Sequence, residues 1–149
     1  MNRFRADLGD PDIKIAGLEI WVHGREYPDL EDYWDGNWTN ISARCTAMDA
    51  TVWVGGSILH LSEVEHLMTT SQALYDSLEG EASLPCIEPY LSVVLKAGGQ
   101  GQIEMTVEIT PDHIAQAHRF VFVIDQSHLP ELISDCRKVL AKYPVRNAT

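Results

Sequence analysis

Five carboxylates and four aromatic rings crowd into thirteen residues, "EYPDLEDYWDGNW", from Glu26 to Trp38. Carboxylates set this closely hold calcium or perform acid–base chemistry. A calcium-binding EF-hand needs oxygen ligands at fixed positions around an invariant glycine. With Gly36 as that glycine, Glu31, Tyr33 and Asp35 take the first, third and fifth positions and Ser42 takes the twelfth. A central ligand and the bidentate glutamate are both missing, so the spacing excludes this loop. A glycosidase using two of Glu26, Asp29, Glu31, Asp32 and Asp35 needs a defined carboxylate separation, which a loop sequence does not fix. Asp29 and Asp32 equally suit local turn hydrogen bonds, and Gly36 a positive-φ position.

The rings admit two readings. Tyr27, Tyr33, Trp34 and Trp38 are either core anchors, the stronger reading for Trp38 at the start of a strand, or binding anchors. An exposed Trp34 or Tyr33 ringed by acids has the composition of an interface hot spot. The residues expected to contact a partner are therefore Asp29, Glu31, Asp32, Tyr33, Trp34 and Asp35.

Other chemistry is sparse. Six histidines, His23, His60, His66, His113, His118 and His128, form no H-E-x-x-H, and scattered polar-face positions account for them. Gly98–Gly99–Gln100–Gly101 lacks the lysine and the strand–loop–helix setting of a phosphate loop, so it reads as a hairpin turn. No G-x-S-x-G or reactive-cysteine signature is present. Glu104 and Glu108 alternate along a strand and are expected to be solvated. No catalytic residue, metal ligand or cofactor is assigned.

The 149 residues carry 22 acids against 11 bases, a net charge of −11. That balance repels nucleic-acid phosphates and anionic membrane surfaces and attracts a basic protein, although acidity also serves solubility alone. The lysines and arginines are dispersed, which argues against an RNA-binding module. Apolar residues make up 45% of the chain, enough for an ordered core, and a chain this long buries roughly 70% of its unfolded surface. Apolar runs such as Phe120 to Ile124 fall far short of the ~20 residues of a membrane helix. Without a signal-like apolar segment near the start, and with three widely spaced cysteines, Cys45, Cys86 and Cys136, a cytoplasmic location with reduced thiols is expected.

The elements that would position the loop follow from periodicity. Ile13 to Val22 alternates as one strand with a bulge at Ala16–Gly17. Trp38 to Ala47 and Ala50 to Leu61 form a hairpin kinked at Gly55–Gly56. Ser62, paired with Glu65 in a capping box, opens a helix that Gly80 closes. Tyr90 to Ala97 and Gln102 to Thr110 form a second hairpin. The stretch "HRFVFVID", apolar at consecutive positions, reads as an interior strand covered on both faces. Ser127 caps a last helix reaching Lys142, with Leu129, Leu132, Ile133, Cys136, Val139 and Leu140 as its stripe. These elements predict an α+β fold in the order βββαβββα: one curved, mainly antiparallel sheet of about six strands with two helices. Residues 1–149 form a single domain, with 1–11 and 145–149 expected to fray.

The segment "DYWDGNW", Asp32 to Trp38, within "GREYPDLEDYWDGNW" and followed by a small-polar strand, resembles the WapI-like bacterial immunity family. Such sequences often have leucine after the second tryptophan, where this chain has Thr39. The resemblance extends to the strand-and-helix order over most of the chain. It implies a non-enzymatic binding protein that neutralises a contact-delivered toxin; together with the acidic balance, the partner expected is a basic toxin C-terminal domain, a nuclease being one candidate. The alternatives are a regulatory or structural interaction domain, and a hydrolase using the loop carboxylates.

Overall fold

Strict two-residue alternation builds most of the molecule. In the computed structural model, which describes residues 8–147, it yields eight strands, and two stretches of three- and four-residue apolar spacing form α-helices. The strands are β1 (Ile13–Ile15), β2 (Leu18–Arg25), β3 (Trp38–Ala47), β4 (Ala50–His60), β5 (Glu81–Leu84), β6 (Leu91–Gly99), β7 (Gln102–Ile109) and β8 (Arg119–Asp125). The helices are α1 (Leu61–Ser77) and α2 (Leu129–Lys142). All strand pairs are antiparallel, and they form two four-stranded sheets, β1-β2-β3-β4 and β5-β6-β7-β8. The α+β class stands, and the single sheet of about six strands does not.

Two local features account for the extra strands. The expected bulge at Ala16–Gly17 is a complete turn, with Ala16 at φ +50°. There Gly17 lies so close to the end of β3 that an added Cβ would sit 2.0 Å from the Thr46 carbonyl and 2.9 Å from the Phe122 ring. Only glycine fits. The other addition, β5, has four residues and pairs with β6, Leu84 opposite Val93.

In β7, Ile103, Met105, Val107 and Ile109 are buried, and Glu104 and Glu108 face solvent. By contrast, "HRFVFVID" is not an interior strand. It forms the edge strand β8, with Ile124 buried, Phe120 and Phe122 half-buried, and Val121 and Val123 exposed at 49% and 71%. Inward side chains of both sheets and both helices share one apolar core, including Leu18, Ile20, Ile41, Leu61, Leu74, Leu95, Met105 and Leu132. Cys45 and Cys136 are buried in it, and burial pushes both thiols up to about 12. All three cysteines are free thiols.

The helix starts differ from the sequence reading by short, physical shifts. The cap of α1 is His60, whose ring accepts a hydrogen bond from the Ser62 amide, while Glu63 Oε1 accepts from the His60 amide at 2.8 Å. The box is thus His60 with Glu63 rather than Ser62 with Glu65. Glu63 is 4% exposed, and its second oxygen accepts from the Ile87 amide at 2.8 Å. At the far end Leu78, not Gly80, takes the left-handed capping conformation, φ +56°. Ser127 does not cap α2: it lies in a single 3-10 turn, Gln126–His128, that Asp125 caps by accepting from the Ser127 amide, and α2 follows from His128 without a side-chain cap. Pro130 then sits in the first turn of α2, where its missing N–H costs nothing.

Each helix covers the free edge of one sheet. The Thr70 hydroxyl of α1 accepts from the Ser83 amide of β5 at 3.1 Å, and the Asp135 carboxylate of α2 accepts from the Lys14 amide of β1 at 3.1 Å. Near the termini, the Trp21 indole donates to the Gly9 carbonyl, and Arg146 and Asn147 hydrogen-bond to the 26–37 loop. Residues 1–7 and 148–149 lie outside the described residues.

Two outcomes follow. Gly17→Ala forces its methyl into the Thr46 carbonyl and lowers unfolding free energy in urea titrations by more than about 2 kcal/mol. Burial raises the Glu63 pKa above its ordinary 4.5, outweighing the two amide donors. A carboxyl whose folded pKa exceeds its unfolded one binds protons more tightly when folded, so its contribution to stability grows as pH falls through the folded value. Glu63→Gln removes that gain, and wild type gains stability over this variant as pH falls from neutrality toward 4.5. A pH-independent difference would refute it.

Candidate functional site

The 26–37 loop joins β2 to β3, and the base of the loop is built from backbone hydrogen bonds. The register slips between Val22 and Gly24, which turns the end of β2. The Glu26 amide then donates to the Trp38 carbonyl at 2.8 Å, and Asn40 Nδ2 donates to Glu26 Oε2 at 2.6 Å. A single 3-10 turn, Asp35–Asn37, closes the loop. Its first turn is fixed by Asp32, whose carboxylate accepts from the Asp35 amide at 2.8 Å and whose carbonyl accepts from the Gly36 amide at 3.0 Å. Gly36 does not adopt positive φ. It is required by close approach, because a Cβ there would lie 2.4 Å from the Leu30 carbonyl.

Beneath the loop lies His60, with no exposed surface. Its Nε2 lies 3.2 Å from the Tyr33 carbonyl and 3.1 Å from that of Trp34. Since Nδ1 accepts from the Ser62 amide, the bonding pattern assigns the proton to Nε2, which donates to the two loop carbonyls. The imidazole also packs against three rings, with centroids at 5.3 Å to Tyr33, 5.4 Å to Trp34 and 5.0 Å to Trp38. Trp34 meets Trp38 edge to face at 5.8 Å.

The other support comes from the far end of the chain. Buried Asn37 donates from Nδ2 to the Tyr33 and Arg146 carbonyls, and its Oδ1 accepts from the Arg146 amide at 2.8 Å. Arg25 donates to the Gly36 and Pro144 carbonyls. Arg146 donates to the Pro28 and Leu30 carbonyls, each at 2.7 Å, and Asn147 to that of Glu31. Burial, then the neighbouring Arg146 charge, lowers the Arg25 pKa below its ordinary value.

Both arginines are thus spent on backbone carbonyls rather than on the acids. Among the described residues the ion pairs are Arg44 with Glu19 and His128 with Asp125, and neither involves the loop. Asp29, Glu31, Asp32, Tyr33, Trp34 and Asp35 are all exposed. Trp34 is 51% and Tyr33 37% accessible, with Tyr27 and Leu30 alongside at 47% and 41%. Trp38 is partly buried beneath them. Asp32 has a turn-forming bond, whereas the Asp29, Glu31 and Asp35 side chains form no such bond among the described residues.

Next to Tyr33, a groove of about 480 Å³ runs along α1, lined by Glu65, His66, Thr69 and the 61% exposed Ile87. No group of three or more histidine, cysteine or acidic side chains is arranged to hold a metal ion among the described residues. The loop presents a rigid surface with negative charge and accessible ring faces. Sequence reasoning missed its supports, Arg25, Asn37, His60 and Arg146. Nothing in the local pattern marks the last two, which reach the loop from 26 and 109 positions beyond their bonding partners Trp34 and Asn37.

Comparison with curated proteins and with solved structures finds no match. A family model, described as the immunity protein WapI-like family, matches residues 9–144, which contain both sheets, both helices and the whole loop. The chain belongs to the immunity protein WapI-like family.

Proposed function

We propose that this protein acts in the cytoplasm as an immunity protein that neutralises a basic toxin domain by binding it, without chemistry of its own. The loop of residues 26–37 is its contact surface. The observation that carries this reading is the division of labour in the loop. The neighbouring cations Arg25 and Arg146 hold backbone carbonyls, and among the described residues the exposed loop carboxylates have no ionic partner beside exposed Tyr33 and Trp34.

Such an inhibitor needs opposite charge to speed encounter and a desolvated aromatic centre to slow dissociation. Electrostatic steering brings association to about 10⁸–10⁹ M⁻¹s⁻¹ at low salt. Nanomolar affinity requires about 12 kcal/mol, which surface charge alone does not supply. Trp34, half exposed yet fixed by His60 and Trp38, has little freedom left to lose on binding. A nuclease-type toxin fits the chemistry, since a domain that binds phosphate backbones is basic where it must be blocked. The family membership supports the immunity role, and the loop chemistry supports the basic partner.

The test is coexpression with toxin C-terminal domains encoded in the same genome, scoring growth and then copurification at low and high salt. One domain is expected to be tolerated only with this protein present, and to copurify better at low salt. Against that domain, replacing Asp29, Glu31 and Asp35 together by lysine slows association at least about tenfold and flattens its salt dependence, with an unchanged circular dichroism spectrum. Asp32 is left in place because it forms the turn. Trp34→Ala instead acts on dissociation and weakens binding by about 2 kcal/mol or more in titration calorimetry. Unchanged affinity in both variants would remove the loop from the interface.

A further inference from the structure

Three of the four sheet edges are protected. β1 is bonded by Asp135 of α2 and β5 by Thr70 of α1. β4 is interrupted, with a register shift opposite Thr39–Asn40 and Gly56 at φ +130°. The fourth edge, β8, has no bulge and no proline, and among the described residues no helix covers it. Its pairing with β7 is unbroken from Gln102–Asp125 to Glu108–Arg119. Uninterrupted edges of this kind are what proteins ordinarily protect, because they template pairing with another strand.

We infer that β8 is a homodimerisation edge, pairing antiparallel with β8 of a second copy about a two-fold axis through Phe122. The hydrogen bonds from the Ile109 amide to the His118 carbonyl and from the Gln126 amide to the Gly101 carbonyl set the phase of the ladder. Even-numbered residues of β8 face β7 with their backbone groups. Arg119, Val121, Val123 and Asp125 turn their amides toward the open edge. An axis through Phe122 matches these residues with each other: Val121 falls opposite Val123 of the second copy and Arg119 opposite Asp125.

The side chains agree with that register. All four are exposed and lie on the outer face of the sheet. The two exposed valines would cover their counterparts, and each end would gain an opposite-charge pair. Asp125 has the capacity, because Ser127 and His128 engage its Oδ1, leaving Oδ2. The match is self-complementary, as a two-fold interface requires. The net charge of −11 opposes association at a distance, but is screened beyond about 8 Å at physiological ionic strength. Phe122 lies against Gly17, at the opposite end of β2 from the 26–37 loop, so pairing leaves the loop open.

Sedimentation equilibrium of the full chain is expected to give twice the monomer mass. Val121→Lys with Val123→Lys sets ammonium groups opposite each other and halves the mass. Val121→Glu with Val123→Lys sets opposite charges face to face and restores the dimer. Thermal melts check that both fold. Without any substitution, hydrogen exchange should show the Val121 and Val123 amides protected at high concentration and exchanging faster on dilution. Wild type sedimenting as a monomer throughout, a double-lysine variant that stays dimeric, or a Glu/Lys variant that stays monomeric would each overturn the proposal.

Discussion

The imidazole of His60 is the junction on which the candidate surface depends. It ends β4, caps α1, accepts a hydrogen bond from the Ser62 amide and donates to the carbonyls behind Tyr33 and Trp34. A buried polar ring is tolerated because both nitrogens are satisfied, and an unsatisfied one would cost about 1–3 kcal/mol. The loop therefore shares a support with the core helix. Its rings cannot shift without disturbing the start of α1, whose second capping element, Glu63, is itself buried.

The architecture has a reciprocal logic. Each half of the chain is a four-stranded meander followed by a helix, and each helix covers the first strand of the other half. Thr70 of the first helix reaches β5, and Asp135 of the second reaches β1. Helix packs on helix between these contacts. No sequence repeat accompanies this pattern, because what recurs is the alternation of apolar positions, which many residue choices satisfy.

That tolerance also explains which parts of the fold can be read from sequence. The β6–β7 hairpin is plain, since Leu91, Val93 and Leu95 alternate on one side of a glycine-rich turn and Ile103, Met105 and Val107 on the other. The division of β1 from β2 is not, because an alanine occupies the left-handed turn position where glycine or asparagine would have marked it. Four-residue β5 is too short to show a period. In β8, apolar residues at successive positions say nothing about which face is covered, and Val121 and Val123 prove to be exposed. The six loop residues expected at a contact surface are legible from composition, and all are exposed. Their supports are not, since backbone carbonyls leave no trace in the pattern of side chains.

The clasp formed by Pro144, Arg146 and Asn147 has a practical corollary. Arg146 and Asn147 donate to four loop acceptors from the opposite end of the chain, and the Pro144 carbonyl accepts from Arg25 at the end of β2. Proteolytic trimming there would soften a surface more than a hundred positions upstream while sparing the sheets. A purification tag or immobilisation handle fused just beyond Asn147 would crowd that same surface, and a true partner would then look feeble in a pull-down.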